Sequence, residues 1–425
     1  MQVTIPPSTS HPFPGLIYQL PNGLTVIHQD LPASSVVTVD VWVRAGAIAE
    51  PAPWFGMAHF LEHMIFKGTD RIQPGQFDAI IERCGGITNA ATSHDYAHFF
   101  INTTAEHLPE ALPLLAELLL HATIPQGEFE MERQVVLEEI RQAYDDPDWI
   151  GFQTLLAAAY PQHPYGRPIL GDVDELMARS PQDMRQFHRA YYQSENMTVV
   201  IVGNLSQAEA LDQVYAAFQT FPERSLVSAP SVQADPPMES VYRQRLALPR
   251  LEQARLMMAW VGPGVDQLQS SYGLDLLAAL LAGSQSSRLV RELREERQWV
   301  QDIDSSFSLQ HDSSLFTITA WLDPDQVERV EATLGDRLSE LASMPITPLE
   351  LNRCKRLMCN DYAFSTETAS QLAGLYGYYH TIADATLSVT YPDQVKQLTP
   401  HDLQYLAGQY LSPYRYASVV LLPEV

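Results

Sequence analysis

Apolar and polar positions along the chain fall into two similar successions. From Val36, VVTVDVWVRAGAIAE carries the β-branched residues of a strand, and from Met57 apolar residues recur at helical spacing. Residues 108–144 read as an amphipathic pair of helices, and MTVVIVGNL from Met197 as a closing strand. The second half repeats the order. ARLMMAWVGPG from Ala254 predicts a strand, LDLLAALLAG a helix, residues 327–364 a helix pair, and YASVVLLPE from Tyr416 a last strand. Between the halves, residues 221–240 (FPERSLVSAPSVQADPPMES) are rich in Pro and Ser and show neither period. The pattern predicts two tandem homologous α+β domains, each a mainly antiparallel sheet covered by helices. The expected boundaries are 1–225, a linker at 226–240, and 241–425.

Length supports the division, since 425 residues exceed the size at which one core stops growing, roughly 250 to 300 residues. With 46% hydrophobic and 18% charged residues, the composition is that of a globular protein. A formal charge of −25 argues against nucleic acid and anionic lipid as partners, and would draw basic peptides to any cavity sharing that sign. Residues 1–10 lack the basic and apolar regions of a secretory signal, and no stretch reaches the roughly 20 apolar residues of a membrane span. Three cysteines, Cys84, Cys354 and Cys359, form no CxxC pair and no even framework. The cytoplasm is the expected compartment.

The chemistry sits in FGMAHFLEHMIFKGT. On a helix, His59 and His63 share a face one turn apart, so two imidazole nitrogens can converge on one ion. Glu62 lies beside them, able to reach a water at that ion without being a ligand. Catalytic zinc usually takes three protein ligands, so one more is required. In MERQVVLEEIRQAYDDPD, Glu132 and Glu139 are seven residues apart and lie on one side of a helix; Glu138 points elsewhere.

HxxEH with this downstream glutamate pair resembles the inverzincin peptidases of the pitrilysin family, in their shorter, processing-peptidase-like branch, over nearly the whole chain. The family's third ligand lies 76 residues after the second histidine, the place of Glu139. A supporting glutamate seven residues earlier corresponds to Glu132. The resemblance implies one zinc ion per chain held by His59, His63 and Glu139, Glu62 as general base, and hydrolysis of unfolded peptides or presequence-like segments. It also implies that GGITNAATSHDYAHFF, from Gly85, ends in an edge strand that pairs with substrate, with Asn89, Ala91 and Thr92 as the candidates. PNGLTVIHQD, HPYGRPILG and SSRLVRELREER are further family-like stretches.

One position departs. Active family members carry an Arg and, seven residues on, a Tyr that hold the substrate carbonyl; Arg294 matches, but Gln301 stands in the tyrosine's place. In the family two such two-domain halves enclose a chamber, which implies a homodimer or a heterodimer with a related subunit lacking HxxEH. Gln301 favours the heterodimer. It also keeps open a peptide-binding subunit with negligible turnover, and the fold alone allows a non-catalytic scaffold. His94, His98, Arg288 and Cys84 are left off the site.

Overall fold

The computed structural model describes residues 13–52, 54–227, 232 and 234–424. The chain begins with β1 (Leu16–Gln19), β2 (Thr25–Asp30) and β3 (Val37–Val43), then α1 (Met57–Ile65), α2 (Gln76–Arg83), β4 (Ile87–Thr92) and β5 (Ala97–Thr103). It continues through α3 (Leu108–His121), α4 (Gln126–Tyr144), α5 (Pro147–Ala159), α6 (Val173–Ala178), α7 (Pro181–Tyr191), β6 (Met197–Gly203) and α8 (Gln207–Ala217). The second half holds β7 (Tyr242–Leu248), β8 (Ala254–Pro263), α9 (Leu268–Ala282), β9 (Val300–Leu309) and β10 (Ser313–Leu322). It closes with α10 (Val327–Ser343), α11 (Pro348–Phe364), α12 (Ala369–Ile382), α13 (Tyr391–Gln397), α14 (Pro400–Tyr410) and β11 (Ala417–Pro423).

The first sheet has the order β1-β2-β6-β3-β5-β4, antiparallel except where β2 meets β6. Its central strands are buried on both faces: β6 carries a nearly continuous apolar run, and β3 buries Thr38 and Asp40 between its valines. Val39, Val41 and Val43 of β3 join Phe60, Leu61, Leu115 and Phe129 in one core. Trp42 points the other way and packs with Val200 and Val202 against Leu372, Ala373 and Tyr376 of α12. A Cβ on Gly377 would lie 2.0 Å from Trp42 Nε1, so the missing side chain is what lets α12 approach the sheet. The Tyr376 hydroxyl donates to Gln29 Oε1 at 2.7 Å.

The second sheet has the order β7-β11-β8-β10-β9, with β7 and β11 parallel and the other pairs antiparallel. This repeats β2-β6-β3-β5-β4 strand for strand, with the one parallel pair in the same place, so the duplication read from the sequence is present in the topology. Its core gathers Leu256, Met258, Trp260, Leu277, Phe316, Ile318 and Leu334.

The packing units are not two contiguous halves. One comprises Met1–Arg141, Arg167–Val232 and Phe364–Thr390; the other comprises Gln142–Gly166, Gln233–Ala363 and Tyr391–Val425. Thus α5, from the first half, belongs with the second sheet, where a Cβ on Gly151 would come within 2.8 Å of Leu421 and Met257. In turn α12, from the second half, belongs with the first sheet. The physical reason is that each sheet is apolar on both faces, and the second face is covered by a helix contributed from the other half. The described residues of the expected linker, 226–227, 232 and 234–240, carry neither helix nor strand. Residues 228–231 and 233 lie outside the described residues, as does the stretch 1–10 read above for a signal.

Candidate metal centre

Helix α1 buries Met57, Phe60, Leu61 and Met64, and this leaves His59, Glu62 and His63 on its other face. The Phe60 ring packs on Phe129 of α4 at 4.7 Å between centroids, which fixes α4 against α1. With Phe129, Val136 and Ile140 of α4 in the core, Glu132 and Glu139 fall on the flank facing the histidines.

The N-terminus of α1 is held by a group that the sequence pattern does not reveal. Glu50 is 2% exposed, and its carboxylate accepts from the Gly56 N–H at 3.0 Å and the Ala58 N–H at 2.8 Å. Burial pushes this carboxyl up to about 8, against the pull of those N–H groups and of Arg167. Gly56, at φ +86, leaves no room for a side chain, since a Cβ would meet the Gly171 Cα at 2.7 Å.

Three candidate ligands converge. Glu139 Oε2 lies 3.8 Å from His59 Nε2 and 3.5 Å from His63 Nε2, and all three ligand atoms lie within 4.8 Å of one another. Those separations are too long for hydrogen bonds and close to the ~3.4 Å between atoms bound tetrahedrally at zinc distances. Three Lewis bases turned on one point without bonding each other fit a divalent ion, and two imidazoles with one carboxylate suit zinc. Burial, then the neighbouring His63, holds His59 down to about 4, so its imidazole is neutral at neutral pH and available as a ligand.

Glu132 does not join the cluster. It accepts from His63 Nδ1 at 2.9 Å, which leaves the Nε2 lone pair directed at the ligand point. Its other oxygen meets Lys67 Nζ at 2.6 Å, a partner absent from the sequence reading. Glu138 is turned to solvent and pairs with Arg141.

Glu62 also stays out of the ligand set. The Thr92 hydroxyl donates to Glu62 Oε2 at 2.6 Å, and burial raises the Glu62 carboxyl while that bond lowers it. Thr92 ends β4, which is an edge of the first sheet; the edge strand is therefore the first part of the Gly85 stretch, whose end, expected as the edge, is β5 between β3 and β4. The three strand candidates separate by alternation. Thr92 faces α1 with Thr88 and Ala90, whereas Asn89 and Ala91 are exposed on the opposite face.

Arg294 lies in the second unit, in a π-helical turn (Val290–Glu296). It donates from Nε to Glu295 at 2.9 Å and from a terminal nitrogen to Asp302 at 3.1 Å. With Gln253, Gln301, Asp302 and Trp321 it lines an open pocket of about 490 Å³, so the Arg and the position that departs from the family share one site. The residues left aside have structural partners. Arg288 forms a two-pronged pair with Glu350, His94 bonds the Arg167 carbonyl, His98 bonds buried Asp40, and Cys84 lies near Glu110.

Comparisons agree with this architecture. Residues 25–173 match the family model described as Insulinase (Peptidase family M16), and residues 179–358 match Peptidase M16 inactive domain. Zinc protease PqqE of Helicobacter pylori is 29% identical over 95% of this chain and 92% of its own. A zinc protease of Mycobacterium leprae is 30% identical over 95% of this chain and 91% of its own. The crystal structure of a protease from Helicobacter pylori superposes with a TM-score of 0.91 at 28% identity, covering 96% of this chain and 99% of that one. The chain belongs to the M16, or pitrilysin, family of metallopeptidases. The periplasmic protease PqqL of Escherichia coli shares the fold at 18% identity (TM-score 0.80), this chain matching 48% of that one and 99% of itself.

Proposed function

We propose that the chain is a zinc-dependent endopeptidase that cleaves unfolded peptides, with His59, His63 and Glu139 holding the ion. The observation that carries this reading is the convergence of the three ligand atoms within 4.8 Å, with Glu62 beside them and held out of the ligand set. Zinc in this site would supply Lewis acidity to a water and to the scissile carbonyl. Glu62 takes the proton of the attacking water and returns it to the leaving amine. The Thr92 hydroxyl occupies Glu62 Oε2 and so orients the carboxylate, leaving Oε1 for the proton. The free edge of β4 can pair with an extended peptide backbone, a mode that unfolded segments satisfy and folded ones do not.

The acidic chain favours basic peptides. Gln301 in place of a phenol, beside an Arg294 already paired with two carboxylates, supports assembly with a second copy or a related subunit that completes the carbonyl-binding side. The same observation favours a second reading, a peptide-binding subunit that turns over only in such an assembly. We place the protein in the cytoplasm, where its three free thiols would persist.

The test is cleavage of a quenched fluorescent, unfolded basic peptide with and without chelator and zinc readdition, in the natural chain and in Glu62→Gln. The expected result is chelator-sensitive cleavage that Glu62→Gln abolishes while zinc stays bound. Cleavage retained by Glu62→Gln would overturn the base assignment, and peptide binding without cleavage in zinc-loaded chain would select the second reading.

A further inference from the structure

We propose that Lys67 is a positioning residue of the metal centre, holding Glu132 so that Glu132 can fix the ring of His63. This rests on the metal reading given above and adds a residue to it. Glu132 is 8% exposed, a carboxylate that needs both oxygens satisfied. Oε1 receives His63 Nδ1 at 2.9 Å and Oε2 receives Lys67 Nζ at 2.6 Å. Held at both oxygens, the carboxylate cannot swing away from the imidazole. A carboxylate facing an ammonium can only accept, so Nδ1 carries the hydrogen and Nε2 presents its lone pair towards Glu139.

The asymmetry of the two histidines makes this contact matter. His59 Nδ1 is buried without a hydrogen-bond partner among the described residues, so no carboxylate steers that ring. Orientation of the imidazole pair by an acidic partner therefore depends on His63, and through Glu132 on Lys67. Lys67 stands four residues after His63, just past the end of α1, and Gly68 at φ +97 turns the chain directly after it. The lysine thus lies in the turn directly after the helix that carries His59 and His63, while Glu132 comes from α4. The pair Lys67–Glu132 ties the ligand helix to the helix that supplies Glu139.

Removal of the ammonium alone should leave Glu132 buried with one oxygen unpaired, free to rotate, and less able to hold His63. The measurement is zinc affinity of chelator-stripped chain, by competition with a chromophoric chelator, for the natural protein, Lys67→Met, Lys67→Arg, Glu132→Ala and the Lys67→Met/Glu132→Ala double variant. Lys67→Met is expected to bind zinc roughly 10- to 100-fold more weakly, the range for loss of an outer partner of a ligating histidine. Lys67→Arg should recover most of that loss, and the double variant should be no weaker than Glu132→Ala alone, because the lysine acts through the glutamate. Affinity unchanged in Lys67→Met, or losses that add in the double variant, would overturn the inference. A natural chain that fails to bind zinc would instead bring down the metal reading, and the two failures are distinct. If Lys67→Met does not fold, Lys67→Ala, which likewise removes the donor to Glu132 Oε2, carries the same comparison.

Discussion

Glu50 offers a test of how the ligand helix is anchored. Its carboxyl sits at the start of α1 with two backbone N–H donors, yet burial carries it from an ordinary 4.5 to about 8. The unfolded chain then releases this proton near pH 4.5, whereas the folded chain keeps it until about pH 8. Between those values the folded state binds the extra proton, so the stability from this group is complete below pH 4.5 and is lost as pH rises towards 8. The slope is about 1.4 kcal/mol per pH unit, and the interval of roughly 3.5 units sets an upper bound of about 5 kcal/mol. Glu50→Gln removes the titration. In metal-free chain, urea unfolding followed by tryptophan fluorescence should find the variant less stable than the natural protein near pH 5. One amide donor then faces the Gly56 or Ala58 N–H, costing about 1 to 3 kcal/mol. Near pH 8 the order should reverse, because only the natural protein has lost the proton-linked term. If the charged cap instead prevails, through the helix N-terminus and Arg167, Glu50→Gln will be destabilised most at pH 8, and the argument from burial fails.

Three further outcomes follow from named contacts. Thr92→Val removes the donor to Glu62 Oε2 and should lower kcat about 10- to 100-fold with zinc affinity unchanged, since a hydrogen bond to a charged group contributes about 1.5–3 kcal/mol; peptidase assays alongside zinc titration check both halves. Glu139→Gln should weaken zinc far more than Glu138→Gln, whose native carboxylate pairs with Arg141, and metal analysis after dialysis distinguishes them. Gly377→Ala places a methyl 2.0 Å from the Trp42 indole and should destabilise by roughly 1–3 kcal/mol, read as a lower denaturation midpoint with a shift in Trp42 fluorescence.

The candidate site divides into parts that were readable along the chain and parts that were not. His59, Glu62 and His63 lie within one helical turn and a half, and Glu132 and Glu139 within two, so helix periodicity alone sets which of them can share a face. The choice of Glu139 as ligand came from the family's spacing; in the structure Glu139 Oε2 lies 3.5 Å from His63 Nε2, while Glu132 turns to His63 Nδ1. Thr92 was named for a strand edge, yet its contact is with Glu62, because alternation along β4 sends it to the helix side and sends Asn89 and Ala91 away.

By itself the sequence determined the doubled order of strands and helices, the two-sheet α+β class and the residues able to form a metal centre. These depend on local periods of two and 3.6 residues, which repeat within a few positions. Only the tertiary structure decided the exchange of α5 and α12 between the units, the capping of α1 by Glu50, and the chain from Lys67 through Glu132 to His63. Each of these joins groups brought together by packing or by the placement of hydrogen-bond partners. A buried carboxylate takes whichever donors the assembled core puts within reach, and a sheet face takes whichever helix fits it, so neither choice leaves a periodic mark in the chain.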